Sequence, residues 1–147
     1  MKKIILILVL FMSFSISAQH KNRERIKSLK VSFITDKLDL TEQEAQQFWP
    51  VYNAYEKQYY AIRYIESKEI RKEIRESIDT LNDKKANTLL ARLEKAEIDK
   101  HNAKMEFSKQ LTKILSPKKI ILLKIAEADF KRKMLEEYKK RKKEDHK

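Results

Sequence analysis

Residues Leu38–Tyr60 read LDLTEQEAQQFWPVYNAYEKQYY, and this stretch decides the fold. Thr41 stands three residues before Glu44. That spacing is a capping box, in which the Thr41 hydroxyl accepts from the Glu44 amide and the Glu44 carboxylate accepts from the Thr41 amide. A helix therefore starts here, and Phe48, Tyr52, Tyr55 and Tyr59 recur on one of its faces. The same grammar returns at Leu81-Asn82-Asp83 and at Leu115-Ser116-Pro117. Each sets a Leu before a capping residue and a charged helical run, and Pro117 is preset for a first helical position. Leu40, Leu81 and Leu115 are placed to pack on Ala45, Ala86 and Ile120 inside the helix that follows each.

These starts divide the chain into four helices. The first is expected over Asn22–Lys37, with Ile26, Leu29, Phe33 and Leu38 as its apolar stripe. The second runs from Thr41 to about Ser77, its stripe continuing through Ile62, Ile70, Ile74 and Ile78. Pro50 lies inside it and removes the amide that would bond Gln46, which predicts a kink or, alternatively, a break into two helices. The third spans Asn82–Leu115 and buries Leu89, Leu93, Ala96, Ala103, Phe107, Leu111 and Ile114. The fourth starts at Ser116, carries Leu123, Ala126, Phe130 and Met134, and is expected to fray into a basic tail from about residue 139. No stretch alternates with period two. The expected fold class is all-α: four helices in an elongated helical hairpin, with a long kinked second helix and no sheet. Such narrow stripes leave apolar area uncovered, so a homodimer is expected.

Composition narrows the function classes. The 147 residues contain no Gly and no Cys. Phosphate-cradling loops and nucleotide-binding fingerprints use Gly for positive φ and close backbone approach, and this chain has none to supply. Paired carboxylates abound, yet on helical surfaces they form i,i+4 pairs with Lys or Arg, as expected of Glu73 and Glu76 among Arg71, Lys72 and Arg75. No arrangement suggests an enzyme, no residue has a reason to be buried and ionised, and no cofactor is implied. At the N-terminus, Lys2 and Lys3, the apolar run Ile4–Met12 and Ile16-Ser17-Ala18 read as a signal peptide over residues 1–18 cleaved before Gln19. An uncleaved anchor is the other reading of that segment. No Cys follows the run, so a lipoprotein anchor is excluded. One domain over residues 19–147 is then expected, in the periplasm. The formal charge of +12 becomes +10 without Lys2 and Lys3. That balance attracts anionic partners such as acidic segments of unfolded proteins or, weakly, an anionic membrane surface, and export argues against nucleic acid.

The segment Leu40, Thr41, Glu44, Phe48, Trp49, Pro50 and Tyr52 resembles the Spy/CpxP-like family of small periplasmic proteins, whose LTxxQ motif opens its helices. Glu44 stands where the family has Gln, and Leu115-Ser116-Pro117-Lys118-Lys119 is a looser echo of the second copy. Phe48-Trp49-Pro50-Val51-Tyr52 looks like the version in exported proteins described as sensors of extracytoplasmic sigma factors. The resemblance implies a cradle-like antiparallel dimer whose basic, partly apolar concave face holds unfolded envelope proteins without ATP. The alternative it implies is a single-partner regulator of a membrane anti-sigma factor or sensor kinase. A third, a heavy-metal sensor, rests on His101 and Met105, which resemble the paired ligands of metal-sensing relatives. The first helix lacks His, and a tight site needs three or four converging ligands, so no metal is expected.

Seven of the thirteen aromatic residues lie between Phe48 and Tyr64. Those on the Phe48 face read as core, whereas Trp49, Tyr60 and Tyr64 fall off it and suit a half-wet client or dimer surface. The run Lys131–Lys147 holds nine basic and four acidic residues and reads as a solvated helix end or an anion site.

Overall fold

The computed structural model describes residues 24–144, all in helices or the turns that join them. The signal-peptide reading, His20 and His146 lie outside this range. Helix α1 covers residues 24–38. Helix α2, Glu42–Tyr64, passes through a π-helical turn at Ile65–Ile70 into α3, Arg71–Ser77, and a closing 3-10 turn at Ile78–Thr80. Helices α4, Asp83–Leu111, and α5, Pro117–Glu144, complete the chain. No strand occurs among the described residues. The fold class is therefore all-α with four helical runs, the second of them long and bent.

All three starts read from the sequence are real caps. Thr41 Oγ1 accepts from the Glu44 amide at 3.2 Å, and Glu44 Oε2 accepts from the Thr41 amide at 2.8 Å. Asn82 Oδ1 accepts from the Lys85 amide at 2.9 Å, and Ser116 Oγ from the Lys119 amide at 3.4 Å. Each satisfies an amide that the first helical turn leaves unpaired.

The helices fall into two compact units. In one, α1 up to Leu40 goes with α5 from Ile121 onward. Its buried residues are Ile34 and Leu38 on α1 and Leu123, Ala126 and Phe130 on α5. The Phe33 and Phe130 rings meet at 5.7 Å, and the Lys37 and Lys133 ammonium groups lie over Phe33. Helix α1 ends by placing Asp39 at φ 46°, which lets the Asp39 and Leu40 amides reach the Asp36 and Thr35 carbonyls.

The other unit, Thr41–Ile120, is a helical hairpin. Tyr52 meets Phe107, Glu66 meets Lys100, and Glu73 meets Arg92. Partners descend along α4 as they ascend along the second helical run, so the two are antiparallel. Its core comprises Phe48, Tyr52 and Ile70 facing Leu89, Ala96, Ala103, Phe107 and Leu111.

Several expectations are corrected. On α1 the inward residues are Ile34 and Leu38, while Ile26 and Leu29 are exposed. Two overlapping apolar sets run along that short helix, and only tertiary packing selects between them. The helix runs on across Pro50, so the alternative of a break into two helices there is corrected; Pro50 and Gln46 are both exposed. A departure from α geometry comes further on, at Ile65–Ile70, where the Arg71 amide bonds the Glu66 carbonyl five residues back. The third helix stops at Leu111, leaving Leu115 buried in the turn, and Ile78 is exposed. The fourth stays helical through Glu144 rather than fraying near residue 139. Glu73 pairs across to α4 rather than within its own helix, although Lys72 and Glu76 do form the i,i+4 pair.

Candidate functional site

The segment singled out in the sequence lies at the entrance of the hairpin. Glu44 is shared: besides the Thr41 amide it receives the Lys119 ammonium at 2.6 Å, from the first turn of α5. That ammonium, and after it the Thr41 amide, hold the Glu44 carboxyl below its ordinary value. The cap thus ties the start of α2 to the start of α5, 75 residues along the chain.

One turn further in, aromatic rings gather. Phe48 meets Trp49 edge-on at 4.9 Å and Tyr52 at 5.2 Å, and Trp49 meets Tyr52 at 5.4 Å. Phe107 from α4 closes the cluster, edge-on to Tyr52 and stacked flat on Tyr55 at 4.2 Å. Phe48 and Tyr52 are buried and Trp49 is half-buried, so Trp49 belongs to the cluster and only part of it faces water. Pro50 sits outside it, exposed, and Leu40 is half-buried with its amide on Thr35. The cap and cluster therefore clamp and stiffen the hairpin; they create surface by holding helices in register.

A second cluster was not expected. Glu66, at the π turn, is 8% exposed. It receives Lys100 at 2.7 Å and Arg71 at 2.6 Å, and Lys100 also binds Glu97 at 2.6 Å. Lys100, then Arg71, hold the Glu66 carboxyl below its ordinary value, and Glu66, then Glu97, raise the Lys100 ammonium above its own. Beyond it Glu73 takes Arg92 at 2.5 Å and Lys85 at 3.7 Å, and Arg92 is the main cause of its lowered value. The signal for Glu66 and Lys100 is present in the sequence. Glu66 follows Ile62 on the α2 stripe, and Lys100 falls between Ala96 and Ala103 on the α4 stripe. A charge interrupting each of two facing stripes marks a cross-helix pair.

Outward surfaces remain. On α2, Tyr60 and Tyr64 are 59% and 60% exposed, beside Lys57, Arg63 and Lys68. On α4, Ile98 and Met105 are exposed opposite the packed face and Leu90 is exposed on its flank, with His101 between them. Among the described residues no group of three or more His, Cys, Asp or Glu is arranged to hold a metal ion, and no helix is long and apolar enough to cross a membrane. No protein-family model matches the chain, and no match was found among curated proteins or solved structures.

Proposed function

We propose that this chain is an exported, periplasmic binding protein that holds unfolded envelope proteins without ATP. The observation that carries the reading is the outer side of α2, where Tyr60 and Tyr64 stand exposed between Lys57, Arg63 and Lys68. Aromatic side chains with polar tips hold apolar client segments while tolerating water. Cations around them steer acidic segments at long range. Attraction of this kind is weak and reversible, as a compartment without ATP requires. The cap segment Thr41–Tyr52 acts in this reading as the stiffener of that surface. A homodimer is part of the same proposal, with the outward stripe of α4 as its contact.

The test is aggregation of several unrelated, chemically unfolded clients with and without the purified protein, in the absence of ATP. Suppression is expected at low salt and is expected to fall in part as salt rises. Tyr60→Ala with Tyr64→Ala should lower suppression while leaving the melting temperature unchanged, because both rings are exposed. No suppression with any client, alongside tight binding to one membrane anti-sigma factor or sensor kinase, favours the single-partner regulator instead.

A further inference from the structure

The fourth helix carries two apolar faces, and only one is packed. Leu123, Ala126 and Phe130 are buried. Opposite them, positions 121, 125, 128, 132, 135 and 139 recur at steps of four and three, which places them on one side of the helix. They are Ile121, Ile125, Ala128, Arg132, Leu135 and Lys139, all exposed. Ile121 is 64% exposed, Ile125 53% and Leu135 51%. A surface helix ordinarily carries polar residues here. The borders of this stripe are cationic: Lys124, Lys131 and Lys142 join Arg132 and Lys139, and all are exposed. Acidic groups are few on this side. Asp129 is half-buried and bonded to Arg132 at 2.8 Å, Glu127 and Glu137 are half-buried, and Glu136 is the exposed carboxylate beside the stripe.

We propose that this face of α5 docks on an anionic bilayer surface. Charge decides among the occupants. A parallel second copy sets Arg132 on Arg132 and Lys139 on Lys139, and an antiparallel one sets Arg132 on Ala128 and Lys139 on Ile121, so neither meets these cations with a carboxylate. A bilayer rich in anionic headgroups meets them with the opposite sign. From Ile121 to Lys142 the cations are spread over about 30 Å of helix, which matches a laterally extended negative surface better than one acidic side chain. The order across the face also fits. Apolar residues occupy the middle, where they enter the headgroup boundary, and long Lys side chains occupy the borders, where they reach up to phosphates. This stripe shares no residue with the client surface on α2, and the proposal does not depend on the holding function.

The experiment is co-sedimentation of the purified chain lacking residues 1–18 with vesicles. Those residues are left off because their apolar run would bind lipid by itself. One set of vesicles is phosphatidylcholine; the other mixes in phosphatidylglycerol. The expected result is binding to the mixed vesicles alone, weakened by salt. Lys131→Gln with Lys139→Gln should weaken it on the order of thirtyfold, at one lost headgroup attraction each. Ile121→Ser, Ile125→Ser and Leu135→Ser together should weaken it at least about tenfold. Circular dichroism and melting temperature are expected to stay unchanged in both variants. Equal binding to neutral vesicles, no binding to mixed ones, or unchanged binding by either variant overturns the proposal. So does a change of oligomeric state in the serine variant, which would give the stripe to a second copy.

Discussion

Asp39 adopts φ 46°, a region that L-residues enter at a cost of about 1–2 kcal/mol. Gly usually fills such a helix end, and this chain has none. A short polar side chain is the next best occupant. Asp39→Val should therefore cost at least about 1–2 kcal/mol, and Asp39→Gly less than Asp39→Val. Urea melts of the two variants check this, and equal stabilities would sink the strain argument. Thr41→Ala should cost about 1 kcal/mol through the lost cap. The caps at Thr41, Asn82 and Ser116 were legible because each partner lies three residues away. Asp39 was not legible, since without Gly nothing marks the reversal. Nor was the Lys119–Glu44 pair, since no local pattern joins residues 75 apart.

At the element scale the π turn explains the long second run. Inward residues step from Ile62 to Glu66 to Ile70, four at a time, and each such step turns an α-helix about 40° past its starting face. The wider turn at Ile65–Ile70 removes that drift, so Glu66 and Ile70 are both buried. The stripes on α4 and α5 were legible because they obey one period throughout. The π turn was not, because its signal is a phase shift visible only when the partner helix fixes which side is inward. Its cost is a buried carboxylate that needs Lys100. Removing one partner strands the other, so Glu66→Ala or Lys100→Ala should each cost roughly 2–3 kcal/mol. Glu66→Leu with Lys100→Leu should recover most of that loss, because an apolar pair needs no compensating charge. A double-mutant cycle by urea unfolding measures it. Additive losses would mean that the pair is not coupled.

At the scale of the molecule these ion pairs shape the response to pH. Glu44, Glu66 and Glu73 have folded values below the ordinary 4.5. Their stabilisation is complete above 4.5 and is lost as pH falls through the lowered folded values, because the unfolded chain then binds more protons. Lys100 is raised above 10.5, so its contribution is complete below 10.5 and is lost as pH rises through the raised value. Melting temperature should be flat between these limits and fall outside both, with a shallower acid limb in Glu66→Gln. The proposed dimer is a separate question, and the stripe on α4 gives it a geometry. Ile98 lies midway between Leu90 and Met105. An antiparallel copy therefore sets Ile98 on Ile98 and Leu90 on Met105 at both ends. Under that reversal Glu94 falls two positions, about 3 Å of helix rise, from Lys104 of the second copy. A parallel copy pairs like with like. Ile98→Lys places two cations at the two-fold centre of the antiparallel arrangement and should yield a monomer, with helix content retained because Ile98 is exposed. Light scattering at micromolar concentration decides it: a parent that is already a monomer, or an Ile98→Lys variant that still pairs, removes α4 as the contact.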